Sequence, residues 1–174
     1  MTRRGVLQAV VSGTLTVGLG GLALATLLRH VVINTTTSDR PGLYWRHPLA
    51  PTRAVRPGER VIFVPPRWVQ EEVRRVAPQV HAARPWMKRI AAVAGDTVCI
   101  AADHVTINGV WRAARPLLQD DVLTAPQGCE TLAEGTYFVL NPHPRSFDSR
   151  YIGALPRAAM QATAIPLYTW EAPQ

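Results

Sequence analysis

Of the 19 basic side chains in this 174-residue sequence, 18 are arginine and one is lysine, Lys88. Either type serves as solvated surface charge. Only an ammonium can give up its proton inside a protein and become a base; a guanidinium cannot. Lys88 stands in Trp86-Met87-Lys88-Arg89-Ile90-Ala91-Ala92-Val93, an apolar setting that would lower its pKa on burial. A neutral lysine can take the proton from a serine hydroxyl, which is a weak nucleophile until a base acts on it. Ser-Lys pairs are one variant of the serine-triad logic. Beyond the apolar N-terminus the serines are Ser38, Ser146 and Ser149. Ser38 lies beside a turn, where a reactive hydroxyl is easiest to present. Taken alone, it reads first as an ordinary turn serine.

Other chemistries have little to work with. The histidines at 30, 47, 81, 104 and 143 lack ligand spacing, so neither a metal nor a cofactor is expected. The sequence has no Gly-rich phosphate loop and no Gly-x-Ser-x-Gly elbow. Glu71-Glu72 and Asp120-Asp121 read as solvated pairs. Net charge is +7, but the arginines are scattered and no aromatics interleave with a basic stripe, so no nucleic-acid partner is expected. A modestly basic domain beside an anionic lipid surface accounts for the charge.

These residues need an element to hold them. Residues 5–28 carry no charge and are rich in Leu, Val, Ala and Gly. As a helix they would extend about 36 Å, enough to cross a hydrocarbon core. Arg3 and Arg4 precede the run, which places the N-terminus in the cytoplasm and the rest outside. A cleaved signal peptide is the alternative; the run is long for one, and Arg29-His30 follow it with no Ala-x-Ala site. The expected organisation is an anchor over 1–33 and an exported domain over 34–174.

That domain reads as mainly β. Arg60 to Val64, Thr97 to Ile100, His104 to Ile107 and Gly135 to Leu140 have strand character, and Asn108-Gly109 signals a hairpin. Residues 67–76 have helical spacing, with Trp68, Val69, Val73 and Val76 apolar, and form a short insertion. Residues 117–128 read as a loop. Cys99 and Cys129 are two in number, so a bridge or two small buried side chains are both open readings.

Four segments together resemble a family. Asn34-x-Thr36-x-Ser38 followed by Pro41-Gly42-Leu43-Tyr44 is similar to the nucleophile box of the type I signal peptidases, especially the conjugal-transfer, TraF-like branch. Gly58 to Phe63 resembles the strand box that follows. Lys88-Arg89-Ile90 with Gly95-Asp96 resembles the box holding the general-base lysine, and Ser146 to Gly153 the last box. They occur in the family's order behind one apolar segment.

The resemblance implies a signal-peptidase-like β domain behind one transmembrane helix. It implies that Ser38 attacks the scissile carbonyl and that Lys88 is general base, then general acid. The oxyanion would be held by the Ser38 backbone N–H and the Thr36 hydroxyl. Ser146 would orient the Lys88 amine, and Asp148 and Arg150 would pair and hold the last loop. The implied partners are an exported, pilin-like precursor and the lipid bilayer. An apolar rim of Leu43, Tyr44, Trp45 and Trp86 would touch the lipid.

The sequence departs from the family's pattern in three places. Arg40 precedes Pro41 where the family has proline and then a basic residue. Ala94 replaces the usual proline. Asn141-Pro142-His143-Pro144-Arg145 replaces a Gly-Asp-Asn stretch. The rival readings are a general signal peptidase, a non-catalytic anchored β domain of a secretion complex, and a self-cleaving repressor-type peptidase. The last is disfavoured by the apolar segment.

Overall fold

The structure is a computed structural model that describes residues 18, 20–76, 83–116 and 127–171. The chain divides into two compact units, Met1–Val32 and Ile33–Gln174. In the first, residues 20–28 are helical. Among the described residues no helix is long and apolar enough to cross a membrane. The expected anchor falls mostly on residues 5–17 and 19, outside the described residues.

The second unit is mainly β, as the patterning predicts. Its elements are β1 (Val31–Asn34, which begins at the end of the first unit), β2 (Gly42–Pro48), β3 (Arg60–Phe63), α1 (Arg67–Val76), β4 (Trp86–Ala92), β5 (Thr97–Ile100), β6 (His104–Ile107), β7 (Val110–Ala114), β8 (Gly128–Thr131), β9 (Thr136–Val139), α2 (Ser149–Ile152), β10 (Leu155–Pro156) and β11 (Met160–Thr169). A seven-stranded sheet runs β1-β2-β11-β3-β4-β9-β10, and a four-stranded sheet runs β7-β6-β5-β8.

Alternation decides which side chains face inward. Along β4, Lys88, Ile90 and Ala92 are buried while Arg89 and Ala91 are only partly so. Lys88 therefore occupies a core-facing position in the strand's period. Ile90 joins a cluster with Val61, Phe63, Val139 and Leu155, and α1 adds Val69 and Val73 from one face. Ala92 joins a second cluster with Val98, Ile107 and Phe138. β4 and β9 thus contribute to both cores, which fixes their register firmly.

Several local readings hold. α1 spans the residues whose spacing predicts it; Val69 and Val73, one turn apart, are fully buried, whereas Trp68 is exposed. Asn108 and Gly109 have φ of 52° and 75°, the left-handed pair that a two-residue hairpin needs between β6 and β7. Cys99 and Cys129 oppose one another across β5 and β8 and form a disulfide, which closes the question the sequence leaves open.

Two expectations are corrected, and two strands are added to those the sequence displays. Gly128 belongs to β8 rather than to the loop before it; the remainder of that loop, 117–126, lies outside the described residues. The strand character of β2 and of the ten-residue β11 is not legible, because β2 lacks a clean apolar–polar alternation and Pro166 interrupts β11. The apolar rim also differs. Tyr44 is fully buried, its hydroxyl donating to the Arg40 carbonyl at 2.6 Å, because β2 turns this residue toward the core. Trp86 packs edge-on against Phe63 and Phe147. Exposed large apolar side chains lie instead along the C-terminal half of β11, at Ile165, Leu167 and Tyr168, and just beyond it at Trp170.

Candidate active site

The loop between β1 and β2 carries Ser38, and Asn34 shapes it. The Asn34 side-chain amide donates to the carbonyls of Thr36 (3.2 Å) and Arg40 (3.1 Å), while its Oδ1 accepts from the Thr36 N–H (3.1 Å) and hydroxyl (2.7 Å). One asparagine thus gathers the turn around the serine, the local hydrogen bonding that asparagine offers at turns. The Thr36 hydroxyl lies 3.1 Å from Ser38 Oγ. With its own proton on Asn34, Thr36 accepts from Ser38. To donate to an oxyanion the Thr36 hydroxyl would have to turn away from Asn34. The Ser38 carbonyl accepts from the His143 N–H at 3.4 Å. Among the described residues, no hydrogen bond uses the Ser38 amide N–H.

Lys88 projects from β4 into the interior and is 7% exposed. Its Nζ donates to Ser146 Oγ at 3.0 Å, and Ser146 is itself buried. Burial is the largest influence on Lys88 and pushes its pKa down to about 8; the carboxylates of Asp148 and Asp39 oppose that shift and Arg150 adds to it. The site therefore holds a lysine that loses its proton near physiological pH.

Asp148 and Arg150 are both fully buried. The Arg150 Nε donates to Asp148 Oδ1 at 2.7 Å and its Nη2 to Asp148 Oδ2 at 3.1 Å. The remaining donors reach the carbonyls of Asn141 (2.9 Å), Pro144 (2.7 Å) and Ala114 (3.0 Å). Arg150 thus fastens the segment that presents Ser146, and its charge is matched by Asp148, as a buried guanidinium requires.

The structure brings Ser38 to Thr36, and Lys88 to Ser146. Among the described residues, no hydrogen bond joins Ser38 to Lys88 directly. The bridge between the two groups is Asn141, which is 3% exposed. Its Nδ2 lies 3.2 Å from Ser38 Oγ and 3.2 Å from the Met87 carbonyl, and its Oδ1 accepts from the Arg89 N–H at 3.1 Å. It therefore grips β4 on both sides of Lys88 while touching Ser38. Its own N–H donates to Asp148 Oδ2 at 3.0 Å. Sequence reasoning misses this residue, since an asparagine before proline reads as loop punctuation. It also misses Asp39, whose carboxylate is buried between Arg60 and Arg89.

An open cleft of about 790 Å³ borders Ser38, with Arg40, Arg89, His143 and Trp170 among its walls. Lys88 does not line it. A substrate entering there would meet the Ser38 side with the lysine behind it.

Comparison with known proteins gives this arrangement a lineage. A family model described as signal peptidase, peptidase S26, matches residues 6–170. The chain belongs to this signal peptidase family. Within it the chain is TraF-like. It is 31% identical to a plasmid transfer protein TraF of Escherichia coli, over 88% of this chain and 94% of that one. It is 27% identical to the conjugal transfer protein TraF of Agrobacterium fabrum, over 98% and 99% respectively. A signal peptidase I of Enterococcus faecalis is 24% identical, covering 63% of this chain and 96% of that one with a TM-score of 0.37. Membership of the signal peptidase family makes this protein a serine peptidase.

Proposed function

We propose that the protein is a membrane-anchored serine endopeptidase with a Ser38/Lys88 dyad. It cuts exported precursors just outside the bilayer, after small residues, and its substrate is a conjugative pilin precursor. Ser38 attacks the scissile carbonyl while neutral Lys88 takes its proton, then returns it to the leaving amine. The Ser38 N–H and the Thr36 hydroxyl hold the oxyanion. The acyl group on Ser38 leaves to water or to the precursor's own amine, the latter closing a ring. Residues 1–33 anchor the enzyme in the bacterial inner membrane and 34–174 form the periplasmic domain, a compartment that permits the Cys99–Cys129 bridge.

The observation that carries this reading is the burial of the sole lysine on a core-facing strand position, held by Ser146, with a pKa pulled to about 8. The TraF names of the relatives support the conjugative setting. Co-expression with a candidate precursor tests it. Ser38→Ala and Lys88→Arg should each abolish cleavage while the protein still folds, and full activity in Lys88→Arg would exclude the dyad. A mature product lighter by one water than the linear chain marks ring closure.

A further inference from the structure

We infer that Asp39 is a positioning residue that locks the Ser38 loop to the strand carrying Lys88 by bridging Arg60 and Arg89; the inference rests on the Ser38/Lys88 reading. Asp39 immediately follows Ser38, and Arg89 immediately follows Lys88. The Arg89 Nε and Nη2 donate to the two Asp39 oxygens at 3.0 and 2.5 Å, and Arg60 Nε donates to Oδ2 at 2.7 Å. The Asp39 side chain is 1% exposed.

The register explains why an anion is needed there. Arg60 on β3 and Arg89 on β4 are direct cross-strand partners. Like charges facing each other across an antiparallel pair repel. The Asp39 carboxylate sits between the two guanidiniums and turns a repulsive pair into a three-membered ion cluster. Burial alone would raise the Asp39 pKa, but Arg89, Arg60 and the Arg40 N–H pull it down to about 2, so the carboxylate stays charged at any working pH. Arg60 also lies over the Tyr44 ring, 5.4 Å from its centroid, and the Tyr44 hydroxyl holds the Arg40 carbonyl. The loop is therefore gripped on both sides of Asp39. With its charge removed, β3 and β4 would be pushed apart beside Lys88 and the Ser38 loop would lose its anchor to them.

The cluster also reaches Lys88 through space. Asp39 and Asp148 favour its ammonium form and Arg150 disfavours it. Removing the Asp39 charge should thus ease loss of the Lys88 proton while misplacing the serine. A residue needed only for folding would not combine these effects.

The test uses the full-length protein in detergent micelles and an internally quenched peptide with alanine at the first and third positions before the cut. Asp39→Asn should lower kcat about 10- to 100-fold, leave KM within about threefold, and move the acid limb of the kcat–pH profile to lower pH. Arg89→Gln should lower kcat similarly, and the double variant should be no worse than about the poorer single, because the pair acts as one unit. Losses that multiply, an unmoved acid limb, or a kcat of Asp39→Asn within about twofold of wild type would overturn the inference. If Asp39→Asn does not fold, Arg89→Gln carries the kcat criterion, since its side chain is one-third exposed. Ser38→Ala runs alongside. Survival of activity there defeats the dyad itself, whereas an inactive Ser38→Ala with an unimpaired Asp39→Asn defeats only the role of Asp39.

Discussion

Lys88 Nζ and Ser146 Oγ lie 3.0 Å apart although 58 residues separate them in the chain. Both side chains are buried, so the amine has a fixed direction and little water. Lys88 reaches this place from a core-facing strand position, and Ser146 from a segment fastened by Arg150. A lysine held this way is directed by packing and by one hydroxyl, while the carboxylates of Asp148 and Asp39 act on it only through space.

On the dyad reading the active form is the neutral amine. Its pKa of about 8 places the acid limb of kcat near that pH. Activity should fall about tenfold per pH unit below it and level off above. Turnover of the quenched peptide measured between pH 6 and 10 checks this. A flat profile across that range would contradict a titrating lysine.

Burying Lys88 costs stability. Its folded pKa lies below the ordinary 10.5, so the unfolded chain binds the proton more readily than the folded one. The penalty is fully present below pH 8 and disappears as pH rises toward 10.5. Lys88→Met should abolish activity yet stabilise the fold at pH 7 by up to about 3 kcal/mol, less the hydrogen bond to Ser146. Denaturant melts at pH 7 and pH 10 should show that advantage shrinking at the higher pH.

Asn141 holds both walls of the site at once. Asn141→Ala would strip the Met87 carbonyl and the Arg89 N–H of a buried partner and release Ser38 Oγ. It should destabilise the fold by about 2–4 kcal/mol and lower kcat by about 100-fold. Asn141→Asp keeps the shape and loses the donor. It should recover part of the stability and little of the rate. Recovery of both would show that the Nδ2 donation to Ser38 is dispensable.

Gly42 begins β2 against β11 with almost no room. A methyl group there would come within 2.3 Å of the Tyr168 carbonyl oxygen, which is backbone and cannot rotate aside. Gly42→Ala should therefore loosen the β2–β11 pairing, lowering stability by about 1–3 kcal/mol, read as a drop in thermal midpoint. An unchanged midpoint would mean that the strands shift apart at no cost.

Much of this was legible in the sequence. The solitary lysine, the strand periods around it, the helix at 67–76 and the Asn108-Gly109 turn depend on local pattern, and local pattern is what a sequence displays. Asp39 and Asn141 were not legible, because each matters through distant partners: Arg60 and Arg89 lie 21 and 50 residues from Asp39, and Arg89 lies 52 from Asn141. Nothing in the residues beside Asp39 says that two arginines from different strands will converge on it. β2 and β11 were obscured for the same reason: each is strand-like only because the other completes it, and Pro166 interrupts the pattern of β11. Tyr44 shows the limit of composition. It reads as a surface aromatic until pairing of β2 turns it inward beneath Arg60.

The strand order carries one more consequence. β11 follows every other described element in the chain, yet it lies between β2 and β3 in the sheet. The Ser38 loop hangs on one side of it and Lys88 on the other. A ribosome has thus placed both residues in the chain long before the wedge that unites their halves exists. A partly made chain already carries Asp39, Asn141 and the strands they grip, but the sheet that frames both side chains closes only when β11 pairs with β2 and β3.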